Sequence, residues 1–97
     1  MPTLILWEMN ESLIPSVPEE RKKASMANLE RVKEGVKAGR IKMWGISPGG
    51  NNGFSITEAE GKELFAITAT WAPYVRFKIK PMISADEAIE ALKGMQP

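Results

Sequence analysis

The chain contains no cysteine and no histidine. The first absence removes disulfides, thiolate metal centres and cysteine nucleophiles together. The second removes the side chain best suited to proton transfer near neutral pH. Zinc and related metals rest mainly on those two residue types, so no metal is expected and no cofactor is implied. Charge of one sign is also missing. Lys and Arg number 13 against 12 Asp and Glu, a net charge of +1. Nothing global then draws the chain to nucleic acid or to an anionic membrane. No stretch reaches the roughly 20 apolar residues of a membrane span. The N-terminus lacks the basic segment and cleavage pattern of a secretory signal, so the expected location is cytoplasmic.

What is present is ordinary for a globular chain. Hydrophobic residues at 43% and charged residues at 26% argue against disorder. The length of 97 residues is that of one small domain, with a thin core.

Thr3 to Met9 is apolar on both parities until Glu8, the pattern of a central strand covered on both faces. Ser16, Pro18 and Glu19 read as a capping box opening a helix that runs to about Ala38. Its buried stripe is Ser25, Leu29, Val32 and Val36, and Gly39 is its stop. Gly35 inside it marks close packing. Ile41 to Ser47 and Phe54 to Thr57 read as strands joined by the turn Pro48-Gly49-Gly50-Asn51-Asn52-Gly53. Thr57 and Glu60 suggest a second capping box. The helix it opens places Leu64, Phe65, Thr68 and Trp71 on one face and ends at Pro73. Tyr74 to Lys80 alternates as a fourth strand. Ser84 and Glu87 cap a last helix with Ile89 and Leu92 inward.

The order β-α-β-β-α-β-α predicts a single α+β domain of ferredoxin-like type, with an extra C-terminal helix. Right-handed crossovers put both main helices on one face of a four-stranded antiparallel sheet. Parity then sorts the strands. Val75, Phe77, Ile79, Phe54, Ile56, Ile5, Trp7 and Met9 are expected under the helices. Tyr74, Arg76, Lys78, Lys80, Ser55, Thr57, Leu4, Leu6 and Glu8 are expected on the open face, with Lys42, Trp44 and Ile46 assigned there as well. Such a face is too apolar for water, which predicts a homodimer packed sheet to sheet.

The segments Leu-Ile-Leu-Trp-Glu (4–8), Gly-Arg-Ile-Lys-Met-Trp-Gly (39–45) and Pro-Gly-Gly-Asn-Asn-Gly-Phe (48–54) carry a resemblance. Ala-Pro-Tyr-Val-Arg-Phe (72–77) and Ser-Ala-Asp-Glu-Ala-Ile (84–89) add to it. Together they resemble the dimeric α/β-barrel superfamily, and within it small uncharacterised proteins similar to muconolactone isomerases. The resemblance implies a face-to-face dimeric barrel and a small organic ligand, bound between sheet and helices or inside the barrel. It includes cofactor-independent isomerases and monooxygenases as well as proteins without known activity. This chain lacks the histidine that several of those enzymes use, so no catalytic residue is carried over.

The residues themselves offer a short set of candidates. Glu8 interrupts an apolar strand and is a candidate base if buried. The plainer reading is an ion pair with Arg76 that fixes register. Tyr74, Arg76 and Lys78, with Lys80, form a basic row suited to an anionic ligand, or else a solvated or intersubunit row. Trp44 beside Gly45 is a candidate ligand contact, since glycine permits close approach. The alternative is interface packing. Trp7 and Trp71 could line an aromatic pocket but are better assigned to the core. The 48–53 loop has the composition of a phosphate cradle, yet it leads into a strand and reads as a hairpin turn. Asn52 to Thr57 resembles an RNA-binding strand motif, but without the basic residue or the further aromatics. No nucleic-acid partner is expected. The leading expectation is a dimeric small-molecule binder, with cofactor-independent isomerase-like chemistry as its candidate activity. The alternative is a non-catalytic interaction protein.

Overall fold

The computed structural model describes residues 2–95. The strands are Thr3–Met9 (β1), Ile41–Ile46 (β2), Asn52–Thr57 (β3) and Val75–Pro81 (β4). The helices are Pro18–Lys37 (α1), Gly61–Trp71 (α2) and Ala85–Lys93 (α3), with a short 3-10 turn at Glu11–Leu13. The sheet order is β2-β3-β1-β4, all antiparallel, as the ferredoxin-like order requires.

Two of the expected helix starts differ. α1 opens on Val17 without any side-chain cap, so Ser16 and Glu19 form no box; Pro18 in the first turn supplies the preset φ instead. α2 begins at Gly61, after Glu60. Thr57 belongs to β3, where its hydroxyl donates to the Arg40 carbonyl at 2.8 Å and accepts the Ala59 N–H at 3.0 Å. The third box forms as expected. Ser84 accepts from the Glu87 N–H, and the Glu87 carboxylate accepts from the Ser84 N–H. Gly39 takes φ +81 after the end of α1, a conformation that costs glycine little.

Register shows where each side chain points. Thr3, Ile5 and Trp7 are buried toward the helices, and so are Ser55, Thr57 and Val75. The assignment holds for β1 and for residues 75–80 of β4, but not for Tyr74, which precedes the strand. That for β3 is inverted: Phe54 lies opposite Leu6 and Ile56 opposite Leu4, so both share the open face. The cause is that both faces of this sheet are apolar, so hydrophobicity alone does not select the inward parity. β2 is also turned over beyond its start. Ile41 pairs with Thr57, but Met43 pairs with Ile56, because a bulge absorbs one extra residue at Lys42. Trp44 and Ile46 therefore face the helices, and Met43 faces out.

The apolar core is small, consisting of Ile5, Trp7 and Val75 among fully buried hydrophobics. On α2, Leu64, Thr68 and Trp71 are half-buried, but Phe65 is 73% exposed and does not join the inward face. Gly35 is buried against Ile41, where a Cβ would lie 2.8 Å from that side chain's Cδ1. Among the described residues no helix is long and apolar enough to cross a membrane.

Candidate functional site

The helix layer does not close fully on the sheet. Between them lies a cleft of about 150 Å³, with Trp7 and Trp44 on its floor and Trp71 of α2 in its wall. Trp7 and Trp44 sit on strands separated by β3, yet their rings stack with centroids 5.4 Å apart and planes 11° from parallel. Gly53, between them in the sheet, makes this possible. A Cβ there would lie 2.6 Å from Cζ2 and 2.8 Å from Cε2 of Trp7. Glycine thus leaves room for the indole to lie on the strand.

The chamber is apolar with a few polar points: Ser25 and Asn28 from α1, Ser55 and Thr57 from β3. The Trp7 indole N–H lies out of reach of the chamber, buried and without an acceptor among the described residues. A buried unpaired donor is costly, on the order of 1–3 kcal/mol. No acidic or basic side chain lines this chamber.

The chamber opens into a second, wider groove of about 540 Å³, and Met9, Ser25, Asn28 and Gly50 line both. This outer groove adds charged side chains of both signs to apolar walls, Glu11 among them. Arg21 and Arg31 project from α1, and Tyr74 stands opposite with Asn10 and Asn51. The Arg31 guanidinium carbon lies 4.3 Å from the centre of the Trp71 ring, a cation–π contact that restricts the long side chain. Backbone and side-chain hydrogen bonds tie the mouth together. The Met9 N–H donates to the Asn51 carbonyl at 2.7 Å, the Asn10 N–H to the Tyr74 carbonyl at 2.8 Å, and Asn51 Nδ2 to Glu11 Oε1 at 3.1 Å.

The predicted site residues are divided by the sheet. Trp44 lines the inner chamber, not the open face, because of the bulge at Lys42. Tyr74 lies in the turn before β4 and lines the outer groove, so it does not head the basic row. Arg76, Lys78 and Lys80 are on the open face, opposite Glu8, Leu6 and Leu4. Glu8 is exposed there in the single chain, on the other side of the sheet from Trp44. The space beside Gly45 that was expected to admit a ligand is occupied by the Phe54 ring. Trp7 belongs to the candidate site as well as to the core, whereas Trp71 is half-buried and lines the cleft. Arg21 and Arg31 were missed, although Ser25 on the expected inward stripe of α1 was a signal that this face meets something polar.

Among the described residues no group of three or more acidic side chains is placed to hold a metal ion. Residues 6–96 match the model of a family described as a domain of unknown function, DUF3303. Among curated proteins, none matches the chain.

Proposed function

The chain belongs to the DUF3303 family, and from that premise we propose that it is a small-molecule-binding protein of the dimeric α/β-barrel type. Its ligand lies in the cleft between sheet and helices: an aromatic or similarly flat apolar body in the tryptophan chamber, and an anionic group toward Arg21 and Arg31. The observation that carries this reading is the continuity of the two spaces, one lined by three indoles and the other by two arginines. A cavity near 150 Å³ admits a ring of about benzene size. A carboxylate suits the fork of a guanidinium already held by Trp71.

Binding is favoured over acid–base catalysis. An isomerase-like reaction needs a proton acceptor against the substrate; Glu8 projects from the opposite face, and Glu11 in the outer groove is tied to Asn51, so no carboxylate lines the tryptophan chamber. Glu8 and Arg76 instead fit a pair at the rim of a sheet-to-sheet contact. That contact would cover Leu4, Leu6, Phe54, Ile56 and Met43, which form the apolar part of the open face.

Titration of tryptophan fluorescence with benzoate and with benzyl alcohol tests the cleft. Benzoate is expected to bind more tightly, and Arg31→Gln to weaken it by about tenfold to a hundredfold, the range of one charge-assisted hydrogen bond. No response to either probe at millimolar concentration refutes the cleft as a binding site. Equal binding of the two probes refutes the role of the arginines alone.

A further inference from the structure

We infer that α3 is an exchanged arm: in the dimer it leaves its own domain and lies along the rim of the second copy's open sheet face, beside strand β4. This rests on the dimer proposed above and adds to it the part that α3 plays.

The first observation is surface. A compact monomer of this mass exposes about 5,500 Å², whereas this chain exposes 7488 Å². The excess of about 2,000 Å² per chain matches what an obligate dimer removes from water. The radius of gyration is 16.4 Å and the longest dimension 59 Å against 27 and 24 Å, while a compact chain of this length has a radius near 12.5 Å. The chain is extended, and α3 is its last element.

The second observation is the helix itself. Ala85, Ala88, Ile89 and Leu92 fall at i, i+3, i+4 and i+7, a single apolar stripe. In its own chain that stripe is uncovered, with Leu92 66% exposed and Ile89, Met82 and Ile83 exposed beside it. Nine residues are too few to hold a helix in water without packing. The well-formed capping box fixes where the helix begins but does not supply that packing.

The third observation is charge, and it identifies the occupant. Asp86 and Glu90 flank the stripe one helical turn apart, about 6 Å along the axis. Arg76, Lys78 and Lys80 project from an edge strand at intervals of about 6.7 Å. The two rows match in spacing and are opposite in sign. Leu4 and Leu6, next to Lys80 and Lys78, carry the apolar surface of the sheet contact up to the row along which the stripe lies. A membrane surface is the wrong partner for this helix, because its charged residues are Asp86, Glu87 and Glu90 against Lys93.

The test uses the full-length chain. A photoreactive p-benzoylphenylalanine in place of Leu92 is irradiated in a mixture of isotopically labelled and unlabelled protein. The expected product is a covalent dimer joining residue 92 of one copy to β4 or β1 of the other. Cross-links confined within one chain, or to another element of the partner, overturn the inference. In parallel, Lys78→Glu with Lys80→Glu is expected to raise the dimer dissociation constant at least a hundredfold, by about the worth of two charge pairs. Adding Asp86→Lys and Glu90→Lys is expected to restore it to within tenfold. Failure of that rescue in variants that remain folded by circular dichroism also overturns it. A wild-type chain that light scattering shows to be monomeric at high micromolar concentration removes the proposed dimer itself. A wild-type dimer without the cross-link removes only the arm.

Discussion

Gly53→Ala is the most direct probe of how the sheet presents its tryptophans. The added methyl would sit 2.6 Å from Cζ2 of Trp7, where ordinary contact begins near 3.4 Å, and it would also meet the backbone oxygen of Gly45. The oxygen belongs to the neighbouring strand and cannot swing aside. The indole must therefore move by close to an ångström, and it is already stacked on Trp44 at 5.4 Å. Overpacking of this kind costs about 1–3 kcal/mol. For a domain of this size each kcal/mol lowers the melting temperature by about 4–8 °C. Urea unfolding at a fixed protein concentration measures the loss, and near-ultraviolet circular dichroism reports the disturbed ring pair. Gly50→Ala is the control. Its φ of +79 makes alanine strained there, but nothing lies within 4 Å of the added atom, so stability falls while the tryptophan signal stays. If Gly53→Ala matches wild type within about 0.5 kcal/mol and leaves the ring spectrum unchanged, β3 faces the other way and the cleft is wrongly built.

Three further outcomes follow from the same geometry. Thr57→Val keeps the shape of a side chain that is 1% exposed but strands the Arg40 carbonyl and the Ala59 N–H, so unfolding free energy should fall by about 1–3 kcal/mol. Leu6→Glu, on the open face between Phe54 and Lys78, should shift light-scattering mass toward the monomer while leaving the helices intact by circular dichroism. Ser84→Ala removes the cap of α3 at a cost of about 0.5–2 kcal/mol, which hydrogen exchange should locate in residues 85–93 rather than in the sheet.

Element order and most strand limits were legible because turns and periodicity are local signals, although β3 begins at Asn52, two residues inside the expected turn. Pro48 to Gly53 marked the hairpin, and Thr3 to Met9 appeared as a strand with the bounds it has. The two faces were less legible. Val75, Phe77 and Ile79 alternate with cations, so β4 sorted correctly. On β3 a buried threonine, satisfied by two hydrogen bonds, displaced the phenylalanine and isoleucine that hydrophobicity would have placed inward. The candidate site suffered from the same error. Simple alternation from Ile41 puts Trp44 on the wrong side, and no residue in Ile-Lys-Met-Trp announces the irregularity. Arg31 gained its place through a ring on another helix, a contact that no single-segment pattern contains.

The kink at Lys42 acts as a selector. Deleting Lys42 would leave Trp44 opposite Ser55 and still facing the helices, but closing the bulge with every residue kept would restore even alternation from Ile41, turn Trp44 outward and bring Met43 beneath the helices in its stead. The stacked indole pair would be broken, and the outer wall of the sheet would gain a large ring where it now has a thioether. A single residue of slack in an edge strand thus determines whether that ring furnishes a pocket or a contact between molecules.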